Sequence, residues 1–272
     1  MLSLIKDIVR PLYRYSTNGN QRAFVALLSK FGKAPRNVSQ EVEFLDFKIT
    51  APDPLSFVYQ FKEIFLDQSY KFSPRNANPL IIDCGANIGT SCLFFRKSFP
   101  EARIIAIEAD PEIFETLKGN LRRNNLDSGI EFINKAVWIN NDGVSFTPDG
   151  ADGGSIKPGV NNGIAIPSIR LRDLLKNHHV DFLKIDIEGA ENDVLPDCAD
   201  SLSNVDHMFI EYHSRSRDVQ RLDELLGIIT GNGMRYFIQS PHLVDAPFLS
   251  SLQDKEFDLQ LNIFCYRNET RN

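Results

Sequence analysis

Acidic residues and one histidine recur where this sequence passes from an apolar run into a turn. Asp83 closes Leu80-Ile81-Ile82, and Glu108 closes Arg103-Ile104-Ile105-Ala106-Ile107. Asp186 and Glu188 end the run that begins Phe182-Leu183-Lys184-Ile185. Glu211 and His213 end Met208-Phe209-Ile210. In open α/β sheets the carboxyl ends of the strands line the ligand crevice. Carboxylates there can accept hydrogen bonds from hydroxyls, hold a cationic group or take a proton.

The turn after Asp83 reads Gly85-Ala86-Asn87-Ile88-Gly89. Its spacing is G-x-x-x-G, without the G-x-G-x-x-G that turns backbone amides toward a pyrophosphate. Asp83 would repel a phosphate but could hold an amino group. Glu108 is placed to accept hydrogen bonds from ribose hydroxyls. A ligand with a ribose, an ammonium and no phosphate is expected, which S-adenosylmethionine satisfies and NAD does not. The plainer alternative, a glycine turn that only joins strand to helix, leaves both acids unexplained.

The second group of residues suits proton transfer. Asp186 lies inside an apolar strand end, where a buried functional carboxylate is expected. Glu211 and His213 alternate on one strand face, and a carboxylate beside a histidine can fix its tautomer and raise its basicity. His213, Asp186 and Glu211 are the candidate bases. Alternatively Asp186, Glu188 and Glu211 with His213 could bind a divalent ion that lowers the pKa of a bound hydroxyl. Glu188 and Glu191 could instead only favour a helix N-terminus. The sequence leaves these alternatives open.

These residues require strands and helices in alternation, and the chain supplies them from Leu80 onward. A helix follows the glycine turn. Asp110-Pro111 reads as an N-cap with proline at the first helical position, opening a helix to about Asn125. Strand-like runs lie at 130–133 and 136–138. A turn-rich segment from Asn140 to Ser155 predicts a β-hairpin with a mobile loop. Helices are expected at 171–177, 190–202 and 217–231, and strands at 236–238 and 259–266. The pattern predicts a doubly wound, mostly parallel sheet, with one antiparallel edge strand because the last two strands follow without a helix.

Residues 1–75 are expected to form an N-terminal extension, and residues 76–272 the main domain. Two helices are expected within residues 1–34, broken around residues 17–20. A strand-like alternation spans 42–49. A helix over 54–72 places Phe57, Phe61, Ile64 and Phe65 on a core-facing stripe. Apolar residues at positions 2, 5, 8, 9 and 12 suit an amphipathic helix packed on the domain or on a second copy, so homo-oligomerisation through these helices is an expectation. A membrane-surface helix is the lesser reading.

Composition sets outer limits. The chain has 272 residues, 42% of them hydrophobic, and a formal net charge of −6. That is enough for one large α/β domain with an extension. No overall positive field attracts nucleic acid. No apolar run approaches the roughly 18 residues of a membrane span. Cys84, Cys92, Cys198 and Cys265 form no CxxC or Cys/His cluster and are expected as reduced thiols in a cytoplasmic protein.

Residues 80–90, Ala106-Ile107-Glu108-Ala109-Asp110-Pro111, Asn134-Lys135-Ala136-Val137, the segment 181–191 with its K-I-D-I-E-G-A-E core, and Ile210-Glu211-Tyr212-His213 together resemble the FkbM family of methyltransferases. The similarity covers roughly residues 78–215. It implies a seven-stranded Rossmann-like class I fold and O-methylation of a sugar, glycan or natural product from S-adenosylmethionine. By position it implies that Asp83, Gly85, Asn87 and Gly89 surround the methionine end. Glu108, with Ala109 beside it, would bind the ribose. Asn134 and Ala136 would border the adenine, and Ser155 would close over it. Asp186 would stand between cofactor and acceptor. A divalent metal is a further option. A catalytically degenerate binding subunit and an N-methyltransferase are the competing readings. The second would carry a Pro-Pro-Tyr/Phe motif, which the sequence lacks.

Overall fold

Strands Leu80–Cys84 and Val180–Ile185 are buried at every position. Runs of this kind are stable only in a sheet covered on both faces, and they form its centre. The computed structural model describes residues 18–147, 154–156, 163–241, 246, 248 and 257–267. In chain order the elements are α1 (Gly19–Phe31), β1 (Gln40–Phe44), β2 (Phe47–Ala51) and α2 (Pro54–Phe61), which runs into a π-helical turn (Lys62–Leu66). Next come β3 (Leu80–Cys84), α3 (Thr90–Ser98), β4 (Arg103–Glu108), α4 (Pro111–Arg123), β5 (Ile130–Asn134) and β6 (Ala136–Trp138). Short strands β7 (Val144–Thr147), β8 (Ser155–Ile156), β9 (Ile164–Ile166) and β10 (Ser168–Arg170) follow. The remainder is α5 (Leu171–Asn177), β11 (Val180–Ile185), α6 (Glu191–Asp197), β12 (Val205–Arg215), α7 (Leu222–Gly231), β13 (Arg235–Gln239) and β14 (Phe257–Tyr266).

The main sheet has seven strands in the order β13-β14-β12-β11-β3-β4-β5. Strands β5, β4, β3, β11 and β12 are mutually parallel. The chain therefore winds outward from β3 in both directions, and the order reverses between β3 and β11. A crevice opens at such a switch point. The fold is the expected Rossmann-like class I arrangement, with one change of position. The antiparallel strand is β14, which pairs with both β12 and β13 and so lies one place in from the edge. The edge is β13, four of whose five residues are exposed, as suits a strand with one free side.

Local signals were read as they formed. Asp110 caps α4, its Oδ1 accepting from the backbone N–H groups of Glu112 at 2.8 Å and Ile113 at 3.2 Å. The alternation at 42–49 is a hairpin, not one strand. Leu45 takes φ 48° at its turn. The reversal brings Phe44 and Phe47 onto the same core, with ring centroids 5.4 Å apart. The helix expected over 190–202 stops at Asp197, and that expected from 217 starts at Leu222. Of the two N-terminal helices expected, the second is α1. The first, with its apolar positions 2 to 12, lies outside the described residues.

The N-terminal elements pack on one face of the sheet. Leu27, Phe31, Phe44, Phe57, Phe61 and Phe65 share a continuous core with Phe95, Ile104 and Leu117. Phe61 and Phe65 stack at 5.4 Å. Each such phenyl ring contributes about 1.5–3 kcal/mol by leaving water. The opposite face is covered by α5, α6 and α7 through Leu175, Val194 and Leu225. Among the described residues no helix is long and apolar enough to cross a membrane. All four cysteines are buried and unpaired with one another.

Candidate functional site

Gly85 sits where β3 ends at the switch point. Its φ is +80°, and a Cβ there would collide with the carbonyl oxygen of Asp186. Only glycine lets the two central strand ends approach this closely. The N–H groups of Gly85 and Ala86 both donate to the Ile107 carbonyl at 3.0 Å. Asn87 follows with φ 48°, a left-handed conformation that asparagine tolerates better than most residues. The turn therefore lies flat over the ends of β3 and β4.

One cleft, about 640 Å³ with the open solvent at its mouth included, lies on the β4 side of this turn. Gly85, Asn87, Glu108, Ala109, Ala136 and Asp186 line it together with Ile113, Val137 and Phe146. Glu108 accepts from the N–H of Asn87 at 2.8 Å and of Asp110 at 2.9 Å, one bond to each oxygen. Burial pushes its carboxyl up to about 7, against the pull of those two donors. A carboxylate with apolar walls on one side and a glycine turn on the other offers what a nucleoside needs, an acceptor for hydroxyls and apolar surface for a base. The donor set thus fits S-adenosylmethionine.

Three expected cofactor residues are not on this wall. Asp83 was expected to hold the ligand's ammonium, but its carboxylate is fully buried. Ser91 donates to its Oδ2 at 2.5 Å, and Lys184 Nζ lies 3.6 Å from its Oδ1. The protein's own ammonium occupies the place foreseen for the ligand's. Gly89 lies behind the turn, where an added Cβ would stand 2.5 Å from Leu121 and 2.7 Å from Leu117; its φ of +89° starts α3. Asn134 donates to the carbonyls of Glu108 at 2.9 Å and Ala109 at 3.2 Å, bracing the strand end from beneath. Ser155 begins β8 and pairs with Thr147, as the hairpin expectation required. Its side chain and the loop 148–153 lie outside the described residues.

The second cleft, about 1670 Å³ and open to solvent, shares Gly85, Asn87, Asp186 and Glu188 with the first. Its far wall comes from the N-terminal elements through Tyr59, Gln60 and Glu63, and from β14 through Gln260 and Asn262. Of the expected catalytic residues, Asp186 and Glu211 line this cleft and His213 does not, although one ligand-type atom each of Asp186, Glu211 and His213 lies within 4.8 Å of the others. Such a trio could offer three bonds to a divalent cation. Positive charge is, however, already supplied. Lys184 Nζ is 3.0 Å from Asp186 Oδ2 and donates to the Gly85 carbonyl at 2.8 Å. His213 is 2% exposed, with Glu188 at 3.6 Å and Glu191 at 3.5 Å.

The electrostatics revise the role expected of His213. Burial alone would lower its pKa, but Glu191, Glu188 and Glu211 raise it to about 10. A histidine that is already protonated at neutral pH cannot take a proton. It acts as the buried cation that balances its acids. Glu191 is equally structural: its two oxygens accept from the N–H groups of Ile187 and Gly189 at 2.8 Å each. This fixes the turn in which Glu188 has φ 55°. Glu211 accepts from the Gln260 side chain; burial and the nearby Asp186 push its carboxyl well above the usual range.

Two participants were missed at the sequence level. Lys184 is the buried hub of the site, 3% exposed, and burial notwithstanding, Asp186 and Asp83 hold its ammonium charged. Its signal was visible: a lysine alternating with Asp186 inside an otherwise apolar strand. Glu63 had no such signal, because it arrives from a segment more than a hundred residues away in sequence.

The profile of one protein family, described as methyltransferase FkbM domain, matches residues 83–236. The chain is 27% identical over 197 residues to methyltransferase sdnD of Sordaria araneosa, covering 57% of this chain and 73% of that one. It is 25% identical over 157 residues to 2-O-methyltransferase NoeI of Sinorhizobium fredii, covering 50% and 63%. It is 27% identical over 147 residues to hexuronic acid methyltransferase AglP of Haloferax volcanii, covering 52% and 59%. The crystal structure of methyltransferase FkbM from Methylobacillus flagellatus superposes with a TM-score of 0.50 at 18% identity, over 96% of this chain and 60% of that one.

Proposed function

The chain belongs to the FkbM methyltransferase family, and on that premise we propose that it moves a methyl group from S-adenosylmethionine to a hydroxyl oxygen of a sugar or related natural product. The observation that carries this reading is the meeting of two clefts at Gly85, Asn87, Asp186 and Glu188. One cleft joins a carboxylate to apolar walls, as a nucleoside requires. The other is open, polar and rich in carboxylates, as a hydroxylated acceptor requires. The names of two relatives, a 2-O-methyltransferase and a hexuronic acid methyltransferase, lend support to the acceptor class.

S-adenosylmethionine, when bound, supplies an electrophilic methyl group. Glu108 would accept from its ribose hydroxyls, and Ala109, Ala136 and Val137 would flank its adenine. Asp186 would stand at the junction of donor and acceptor, held in place by Lys184. Much of the acceleration in such a transfer comes from fixing oxygen and carbon in near-attack contact. The rest comes from a carboxylate that removes the hydroxyl proton. The N-terminal elements would form the acceptor wall.

The reading is tested in two stages. Calorimetry with S-adenosylhomocysteine should give saturable binding where NAD gives none. Radiolabelled S-adenosylmethionine should then label hydroxyls within a panel of methyl glycosides of hexoses and hexuronic acids. Binding without transfer to any hydroxyl would favour a binding subunit. Label found only on amines would overturn O-methylation.

A further inference from the structure

We propose that Glu63 takes the proton of the acceptor hydroxyl, so that the N-terminal segment supplies a catalytic residue. The proposal rests on the O-methyltransferase reading above. Glu63 lies in the π-helical turn Lys62–Leu66 and lines the open cleft shared with Asp186 and Glu211. Its neighbours Ile64 and Phe65 are buried in the aromatic core, so the turn is anchored and the glutamate has little freedom. A π-helical turn is often found at a functional site, and here it closes α2. This one sets Glu63 facing the sheet end.

The partners of Glu63 fit the role. Asn262, itself 6% exposed, donates to Glu63 Oε1 at 2.7 Å. Among the described residues no hydrogen bond reaches Oε2, which leaves one oxygen for an acceptor. Asn262 Oδ1 is buried and also lacks a hydrogen-bond partner, a donor-seeking atom beside the same carboxylate. Asn262 is the cross-strand partner of Glu211, so these three side chains occupy one patch of cleft wall.

The other candidates are engaged. His213 is the cation of its acids, and Asp186 is paired with Lys184. Glu211, like Glu63, takes one side-chain amide, but burial and Asp186 push its carboxyl well above the usual range. The groups facing Glu63 are Asp186 and Lys184 from the end of β11, Glu211 from β12, and Asp67 and Tyr70 from its own segment. Burial and Asp186 raise its carboxyl to about 7, while Lys184 and Asn262 restrain the rise. A base is most effective near the working pH. In the step itself the O–CH3 bond forms as the O–H bond breaks. The proton goes to Glu63, and the electron pair of the broken S–CH3 bond stays on sulfur. Glu63 then returns the proton to water through the open cleft.

The test uses Glu63→Gln and Glu63→Asp in the full chain. Glu63→Gln should bind S-adenosylhomocysteine within about twofold of wild type. Its turnover on the best methyl glycoside should fall by roughly 10²–10⁴, with Glu63→Asp in between. Carbon-13 NMR of labelled glutamate carboxyls should show, beside that of Glu108, a second resonance titrating near pH 7 that is absent from Glu63→Gln. Unchanged turnover in Glu63→Gln overturns the assignment while leaving O-methylation standing, as does a Glu63 carboxyl that titrates below pH 5. Wild type that binds S-adenosylhomocysteine but methylates no hydroxyl overturns both.

Discussion

Lys184 Nζ stands 3.6 Å from Asp83 Oδ1 in the centre of the sheet, with neither side chain more than 4% exposed. The pair joins β11 to β3 beneath the glycine turn, and the same ammonium reaches Asp186 and the Gly85 carbonyl. Removing one partner of a buried pair strands the other. Lys184→Met should therefore cost about 3–5 kcal/mol of stability, read from urea unfolding. S-adenosylhomocysteine affinity should fall as well, because the turn loses its brace. A variant with wild-type stability and affinity would show that Lys184 is incidental.

Gly85→Ala and Gly89→Ala should separate by severity. At Gly85 the added Cβ meets backbone, the Asp186 carbonyl, which cannot move without parting β3 from β11. At Gly89 it meets the ends of Leu117 and Leu121 side chains, which can shift. Both also carry the left-handed backbone penalty of about 1–2 kcal/mol. Thermal unfolding should show Gly85→Ala losing clearly more. Equal losses would mean the close approach at Gly85 is not limiting.

Glu108→Gln should weaken S-adenosylhomocysteine by roughly tenfold or more, since a charge-assisted hydrogen bond contributes about 1.5–3 kcal/mol. Ribose hydroxyls favour the ionised acid, and the free carboxyl sits at about 7. Wild-type affinity should accordingly tighten as pH rises from 6 to 8, with proton release on binding. The Gln variant should lack this dependence. A wild-type profile flat across that range would remove Glu108 as the ribose partner.

His213 carries a stability signature. Its folded pKa is raised from 6.5 to about 10. The stabilisation from its protonated form is therefore complete below about pH 6.5 and is lost as pH climbs through 10. Urea midpoints should fall across that window in wild type and change less in His213→Gln. That variant should itself be less stable near neutrality by about 3 kcal/mol, as expected when a buried charge loses its partner. A larger pH slope in the variant would contradict the assignment.

Chelation tests whether the convergence of Asp186, Glu211 and His213 is a charge-balanced cluster or a cation site. With Lys184 and His213 already supplying positive charge, EDTA should leave methyl transfer unchanged and added magnesium or manganese should not raise it. Loss of transfer on chelation, restored by one of these ions, would instead make the three residues ligands.

Local chemistry in the sequence determined the strand ends, the glycine turn, the N-cap at Asp110 and the acids around the cleft beside β4. These depend on neighbours within a few residues, so patterning and residue type suffice. The gathering of Glu108, Ala109, Ala136 and Asp186 along one cleft was legible for that reason. Asp83 was misjudged because its type and position fit a ligand's ammonium equally well. Only packing revealed that Lys184, on the adjacent strand, lies there first. His213 looked like a base from its neighbour on the strand. Three surrounding carboxylates, one from the turn after β11, one from the start of α6 and one from β12, made it a cation. The place of β14 inside the sheet and the arrival of Glu63 and Asn262 at the open cleft were decided by tertiary structure alone. Each depends on contacts between segments far apart in the chain, and no local pattern in the sequence encodes which distant surfaces will meet.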